Sequence, residues 1–326
     1  MQAIVCREFG SPDALELAEV PDPVARDEEV VIDVEACAIS FPDLLVVQGR
    51  YQSLPPLPFT PGTELAGVVR SVGAAVANVA VGDRVFATTL AGGLAERVAV
   101  RASNVTRIPG DVDAVHASAF MYAYGTSQHA LKDRGALQPG ETLLVLGAAG
   151  GVGLAAVELG REMGATVIAA ASTEEKLELC RTQGATHTID YATEDLRDRL
   201  KEITAGTGVD VVYDAVGGDF AEPALRSMAW EGRYLVIGFA TGDIPRIPLN
   251  LPLLKGCSIV GVFWGQFIRL RPDAHQRNVD ELVRWWADGR LHPHVSAVYP
   301  LARTSDAFTA LAERRALGKI VISVGA

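Results

Sequence analysis

The sequence has few cysteines and no concentration of positive charge, and each shortage excludes a class of protein. Its four cysteines lie far apart and form no Cys-x-x-Cys pair, which is typical of reduced, buried thiols in a cytoplasmic protein. The formal net charge is -11, and Lys and Arg are scattered along the chain. This balance argues against nucleic acid or an anionic membrane as the main partner and favours a small-molecule ligand.

Long hydrophobic runs are also missing. The longest nearly apolar run, residues 143–157, has 15 residues and several glycines, which is too short to span a bilayer. The first residues, MQAIVCREFG, lack a basic segment followed by an apolar one. We therefore expect neither a membrane span nor a secretion signal.

Apolar runs recur every 20 to 24 residues from residue 142 onward. They are apolar at consecutive positions, as in strands that helices cover on both faces. The chain of 326 residues is long enough for two domains, and this pattern predicts an α/β doubly wound parallel sheet of the Rossmann kind over residues 121–262. The runs are TLLVL, TVIAAA, THTID, VDVVYD, RYLVIG and CSIVGV.

The first 120 residues differ, because short strand-like pieces alternate there with Gly and Pro turns. This texture predicts a partly open antiparallel β-barrel over residues 1–120. Near the other end, a helix that stops at Gly289, the strand VSAVYP, a helix over 304–316 and GKIVISV follow one another. We assign residues 263–326 to the same domain as residues 1–120.

A glycine-rich loop, LVLGAAGGVG, joins a predicted strand to a predicted helix. Its glycines keep the three-residue spacing of the dinucleotide fingerprint, although an alanine replaces one of them. Glycines let the backbone approach a pyrophosphate, which the helix amino end favours; the alternative is a tight turn kept for packing. The predicted cofactor-binding residues of this loop are Gly147, Ala149, Gly150, Gly151, Val152 and Gly153.

The end of the second Rossmann strand predicts NADPH. NAD enzymes usually carry an Asp or Glu there, whereas this strand ends Ala170-Ala171-Ser172. Ser172 can donate a hydrogen bond to a 2′-phosphate, and Lys176 can place a cation beside it, unless Lys176 is simply a solvated helix lysine. Ser172 is also predicted to be the N-cap of the following helix.

Three motifs together resemble one family. PGTELAG, GAAGGVG and RRALGKIVI, in this order, are similar to those of the zinc-free quinone oxidoreductases, the zeta-crystallin-like family of the medium-chain dehydrogenase/reductase superfamily. The resemblance implies a GroES-like catalytic domain made from both chain ends, a central Rossmann domain, NADPH and a homodimer. The apolar run CSIVGV at the end of the strand series supports the dimer, because an unpaired edge strand invites aggregation.

The resemblance also bears on metal and catalysis. In the zinc-containing members of the superfamily, the catalytic zinc ligands occupy the positions of Ser40, Thr63 and Tyr122, and none of these is a usual zinc ligand. We therefore expect no metal. Ser40 and Tyr51 are the candidate catalytic residues, because their hydroxyls can donate to a carbonyl oxygen; Tyr51 can instead be a packed loop residue. Most relatives have Asn at Ser40, and many have Tyr at Leu45.

Further cofactor contacts are implied in the same way. Thr126 matches the threonine that packs against the nicotinamide. Tyr191 and Arg314 match positions near the 2′-phosphate, with Arg315 as the alternative to Arg314. Glu64 is interpreted as structural or electrostatic rather than as a general base.

Two functions remain open at this stage. The leading hypothesis is an NADPH-dependent reductase that transfers hydride to a quinone or an α,β-unsaturated carbonyl compound without metal. The alternative is an NADPH-binding protein with little catalysis that acts in sensing, as a scaffold or in partner binding.

Overall fold

The computed structural model describes residues 1–325, which form two compact units. The first unit consists of residues 1–122 and 293–325, and the second of residues 123–292. Residues 263–292 were expected in the first unit and lie in the second. The physical reason is a polar anchor, because Asn278 donates to Asp133 at 2.8 Å within the second unit.

Fifteen strands are assigned in the described chain. In order they are β1 (Gln2–Val5), β2 (Glu16–Glu19), β3 (Glu29–Ile39), β4 (Glu64–Val72), β5 (Arg84–Thr88), β6 (Arg97–Arg101), β7 (Val105–Arg107), β8 (Thr142–Leu146), β9 (Thr166–Ala171), β10 (His187–Asp190), β11 (Val209–Asp214), β12 (Met228–Val236), β13 (Ser258–Gly261), β14 (Val295–Pro300) and β15 (Lys319–Ser323).

Eleven α-helices accompany them within residues 1–325. They are α1 (Phe41–Val47), α2 (Ala114–Ser118), α3 (Met121–Gln128), α4 (Gly151–Glu162), α5 (Glu174–Thr182), α6 (Leu196–Ile203), α7 (Ala221–Arg226), α8 (Asn250–Lys255), α9 (Trp264–Leu270), α10 (Pro272–Ala287) and α11 (Thr304–Ala312). A π-helical turn, His129–Arg134, continues α3.

The sheet of the first unit is built around β3. This strand pairs with β4 along one edge, and along the other edge with β6 through its first half and β15 through its second half. The strand order is β14-β15-β3-β4-β5-β7, and the pairs are antiparallel except for β14 with β15. Antiparallel pairing of β15 with β3 sets Ile320 opposite Ile39, which brings the start of β15 to the end of β3.

The second unit contains the predicted parallel sheet, in the order β10-β9-β8-β11-β12-β13. Residues 143–146 of β8 have no exposed surface, as expected for a strand covered on both faces. In such sheets ligands bind beyond the carboxyl ends of the strands. No helix within residues 1–325 is both long enough and apolar enough to span a bilayer.

Candidate active and cofactor sites

The glycine-rich loop forms a tight connection between β8 and α4. Gly147 has φ +70°, in the left-handed region that favours glycine, and Gly150 is the N-cap of α4. A Cβ atom on Gly153 would lie 2.2 Å from the carbonyl oxygen of Gly147. The loop backbone therefore folds directly onto the first turn of α4, whose unpaired N–H groups suit an anion. Ala149 lies in the loop just before Gly150, and Val152 lies in the first turn of α4; their contact with a cofactor stays a prediction.

The residues expected near a 2′-phosphate lie on neighbouring strand ends. Ser172 follows β9 and Tyr191 follows β10, and these two strands are adjacent and parallel. The Tyr191 N–H donates to the carbonyl of Ala171 at 3.1 Å. Lys176 Nζ donates to Ser172 Oγ at 3.3 Å. Ser172, Lys176 and Tyr191 thus form one group at this edge of the sheet.

The start of α5 corrects one prediction. Thr173, not Ser172, is the N-cap, since its hydroxyl accepts from the Lys176 N–H at 3.3 Å. Both residue types cap well, so the capping signature alone could not separate neighbours. The shift leaves the Ser172 hydroxyl outside the helix cap, in contact with the Lys176 ammonium.

Thr126 lies in α3 and is 9% exposed. Its neighbour Ser127 donates to the Val152 carbonyl at 2.9 Å and is hydrogen-bonded to the Tyr213 hydroxyl at 2.9 Å. These bonds tie α3 to the first turn of α4, and the packing of Thr126 against a nicotinamide stays a prediction. Nothing in the sequence pattern pointed to Ser127 as the residue that makes this connection.

Arg314 belongs to the first unit and is exposed just beyond α11, with φ +57°. The neighbouring Arg315 pairs with Glu313 at 2.6 Å. The part of Arg314 in binding a 2′-phosphate stays a prediction.

A buried charged cluster occupies the first unit where β3, β4 and β15 meet. Lys319, the first residue of β15, is 6% exposed. Its Nζ donates to Ser40 Oγ at 2.6 Å and forms an ion pair with Glu64 Oε2 at 3.2 Å. Asp43, in the first turn of α1, accepts from the Ser40 N–H at 2.8 Å. Ser40 thereby lies between the Lys319 ammonium and the first turn of α1.

Burial dominates the electrostatics of this cluster. Glu64 is 0% exposed, and its second oxygen, Oε1, accepts from the Tyr122 N–H at 2.7 Å. Burial raises the pKa of Glu64 and of Asp43 above the ordinary carboxyl value, although Lys319 opposes the shift for both. The Lys319 ammonium thus interacts with two buried carboxyl groups, those of Asp43 and Glu64. This supports the electrostatic interpretation of Glu64.

Two phenols complete the group. Tyr122 and Tyr51 are joined by a hydrogen bond between their side chains, and burial raises the pKa of both hydroxyls. Both therefore stay protonated at neutral pH and can act as donors. The Tyr122 ring centre lies 6.0 Å from Lys319 Nζ. Ser40 and Tyr51, the predicted catalytic residues, are linked to the same cluster through Lys319 and Tyr122.

Comparison with known proteins shows the family. Residues 26–110 match the model described as "Alcohol dehydrogenase GroES-like domain", and residues 151–284 match "Zinc-binding dehydrogenase". The chain is 40% identical over 324 residues to quinone oxidoreductase-like protein 2 of Rattus norvegicus, which covers 99% of this chain and 92% of the relative. The chain belongs to the zeta-crystallin-like family of medium-chain dehydrogenases/reductases.

Two further members of this family cover nearly the whole chain. The quinone oxidoreductase of Lama guanicoe is 32% identical, over 99% of this chain and 97% of its own length. The crystal structure of Escherichia coli quinone oxidoreductase complexed with NADPH is 29% identical, with a TM-score of 0.93, and covers 99% of this chain and 100% of its own. The predicted combination of a Rossmann sheet with a GroES-like domain is confirmed.

The donor set at the positions matched to the zinc ligands of the zinc-containing superfamily members is unusual for zinc. It consists of the hydroxyl groups of Ser40, Thr63 and Tyr122, whereas zinc sites use Cys, His and carboxylate ligands. Within residues 1–325, no three His, Cys, Asp or Glu side chains are grouped as metal ligands. What lies against Ser40 is instead the Lys319 ammonium.

Lys319 appeared in the sequence prediction only as part of a family motif, and Asp43 was not predicted as a site residue. Both carried a signal, because Lys319 begins the otherwise apolar segment KIVI and Asp43 lies inside the otherwise apolar segment FPDLLVV. Charged residues are almost never fully buried unless they are paired. Glu64 in ELAGVV fits the same pattern. Only the three charged residues taken together indicate a buried charge cluster, because each one alone is compatible with an exposed position.

Proposed function

We propose that this oxidoreductase is an NADPH-dependent reductase of quinones or α,β-unsaturated carbonyl compounds that works without a metal. The observation that carries the proposal is the Ser40 hydroxyl, held by a buried ammonium in a cluster rich in hydrogen-bond donors. NADPH supplies the hydride, and electron-poor acceptors of this kind need no Lewis acid to accept it.

Different residues of the chain bind the cofactor and the acceptor in this proposal. The loop around Gly150 holds the pyrophosphate, and Ser172, Lys176 and Tyr191 hold the 2′-phosphate. Ser40 and Tyr51 donate hydrogen bonds to the acceptor oxygen, where negative charge develops during hydride addition.

Steady-state kinetics with NADPH and a panel of quinones, enones and saturated ketones test this function. We expect turnover of the quinones and enones, unchanged by a chelator. Ser40→Ala or Tyr51→Phe should each lower kcat about tenfold, because the remaining donor and water partly substitute for the lost one. Preferential reduction of saturated ketones, or chelator inactivation with stoichiometric zinc, would contradict the proposal. Tight NADPH binding without turnover of any acceptor would favour the non-catalytic alternative.

The group formed by Ser172, Lys176 and Tyr191 predicts a preference for NADPH over NADH. NADPH should bind more tightly than NADH, since a charge-assisted contact contributes about 1.5–3 kcal/mol. Lys176→Ala should lower NADPH affinity about tenfold and leave NADH affinity nearly unchanged, as measured by fluorescence titration. Lys201→Ala, an exposed lysine on α6, is the matched control. Equal affinities of the unaltered protein for both cofactors would refute this assignment.

A homodimer through β13 is proposed from the exposed surface beside it. β13 is an edge strand, and large apolar side chains near it are exposed: Trp230, Leu253, Leu254, Ile259 and Phe263. An edge with such a surface is usually covered. Pairing β13 with its copy would extend the sheet across a two-fold axis.

Ile259→Lys should weaken this dimer by at least about tenfold, because like charges would face each other across the axis. Light scattering at micromolar concentration measures the change. Val298→Lys is the control, since Val298 is an exposed apolar residue on β14, the edge strand of the other sheet. A monomeric mass for the unaltered protein would end the dimer proposal.

A further inference from the structure

Lys319 determines what the Ser40 hydroxyl can do. An ammonium group has donors only, so in their 2.6 Å hydrogen bond the Ser40 oxygen is the acceptor. The hydroxyl hydrogen must then point to another partner, and no described residue accepts it. Ser40 is also partly exposed, whereas Lys319 is buried. The pair consists of a buried cation and an outer hydroxyl whose hydrogen remains available to a ligand.

Two carboxyl groups and an aromatic ring surround the Lys319 side chain. Glu64 Oε2 lies 3.2 Å from Nζ, and the buried carboxylate of Asp43 also interacts electrostatically with it. The Tyr122 ring is 6.0 Å away. Among these neighbours, an N–H of Lys319 is hydrogen-bonded directly to the Ser40 oxygen.

We propose that Lys319 supplies the proton of the reduction and acts through Ser40. This inference rests on the proposed function and adds the proton donor to it. Lys319 is thus a positioning and proton-supplying residue, while Ser40 is the group that touches the substrate oxygen.

The proposed step balances for an α,β-unsaturated carbonyl compound. Hydride from NADPH, whose nicotinamide C–H bond would break as the cofactor is oxidised to NADP⁺, would form a new C–H bond at the β carbon. The electron pair displaced from the C=C bond moves to the carbonyl oxygen to give an enolate. The Ser40 O–H bond breaks as the enolate oxygen gains that proton. An N–H bond of Lys319 breaks as the Ser40 O–H re-forms, and the resulting amine takes a proton from water before the next turnover. The enol becomes the saturated carbonyl compound in water.

The test compares acceptors whose reduced anions differ in basicity. Lys319→Met should lower kcat about 100-fold for a simple enone, whose enolate is strongly basic, with KM changed less than about threefold. For a quinone bearing electron-withdrawing groups, whose hydroquinone anion is weakly basic, the loss should be less than about fivefold. Lys319→Arg should leave the enone rate low, because a guanidinium keeps its proton; recovery by Arg would show that positive charge alone is needed and would overturn the proton transfer. NADPH affinity, measured by fluorescence, should not change.

Two further variants keep the test decisive. Glu64→Gln/Lys319→Met removes both charges of the ion pair, so it leaves one buried carboxyl fewer without its ammonium than the single variant does, in case that variant fails to fold. It should show the same selective loss. Lys132→Met, which removes another lysine paired with a glutamate, Glu281, should leave every rate unchanged.

Each outcome separates the inference from the proposed function. A uniform loss over all acceptors, or no loss for the enone, would overturn the role of Lys319 while the reductase function stands. Absence of wild-type turnover with every quinone and enone would contradict the proposed function and this inference with it.

Discussion

Gly153→Ala is expected to lower NADPH affinity by at least about 100-fold, which corresponds to a loss of about 2.7 kcal/mol. The added Cβ would lie 2.2 Å from the Gly147 carbonyl oxygen and 2.8 Å from Ala148 Cα. These are backbone atoms that cannot rotate away, so the loop must move off the first turn of α4. Fluorescence titration with NADPH measures the effect directly.

Gly265→Ala is the matched control for an added methyl group. The nearest atom to a Cβ at Gly265 is in the Phe263 ring, at 3.7 Å, an ordinary contact distance. This variant should bind NADPH as the unaltered protein does. If Gly153→Ala retained full affinity, the glycine-rich loop would not be the pyrophosphate site.

Glu64→Gln is expected to lower the free energy of unfolding of the first unit by about 3 kcal/mol. The amide side chain would still offer an oxygen to the Tyr122 N–H, so the substitution isolates the loss of charge. Lys319 would then remain buried with only Asp43 to balance it, and an incompletely compensated buried charge is costly. Urea unfolding followed by circular dichroism gives the midpoint shift.

Glu222→Gln provides the comparison with an exposed ion pair. Glu222 pairs with Arg226 on the surface of α7, where both side chains are at least 40% exposed. Exposed pairs contribute about 0–1 kcal/mol, so this variant should change stability little. If the two glutamine variants were equally stable, the buried cluster would contribute no more to the free energy of unfolding than an exposed ion pair does.

Much of the second unit followed from local pattern. The six apolar runs became β8 to β13 because strands buried on both faces leave a direct record in the sequence. Ser172 and Lys176 were predicted from the end of the second strand of this series, whereas Tyr191 came from family resemblance; the adjacent parallel strands place all three at one edge of the sheet. The helix over residues 272–287 was predicted, but the unit to which it belongs was not. Its partner Asp133 lies far away in the sequence, and amphipathic spacing does not say which surface a helix covers.

The cluster in the first unit was predicted only in part. Ser40 and Tyr51 came from family resemblance, whereas the contact between Ser40 and Lys319 depends on pairing between residues 279 positions apart. Only the antiparallel register of β15 with β3 brings them together. Burial also could not be read from single residues, because a lysine at a strand start is usually exposed.

The chain order of the two units has a consequence for biosynthesis. The second unit is one continuous segment, while the first unit needs residues from both sides of it. As the chain leaves the ribosome, residues 123–292 can complete their core while β3 and β4 still lack β15. Asp43 and Glu64 are therefore synthesised long before the ammonium that neutralises them. Nascent chains must keep these two acids hydrated, and the site that we propose for reduction closes only when the last strand joins the sheet.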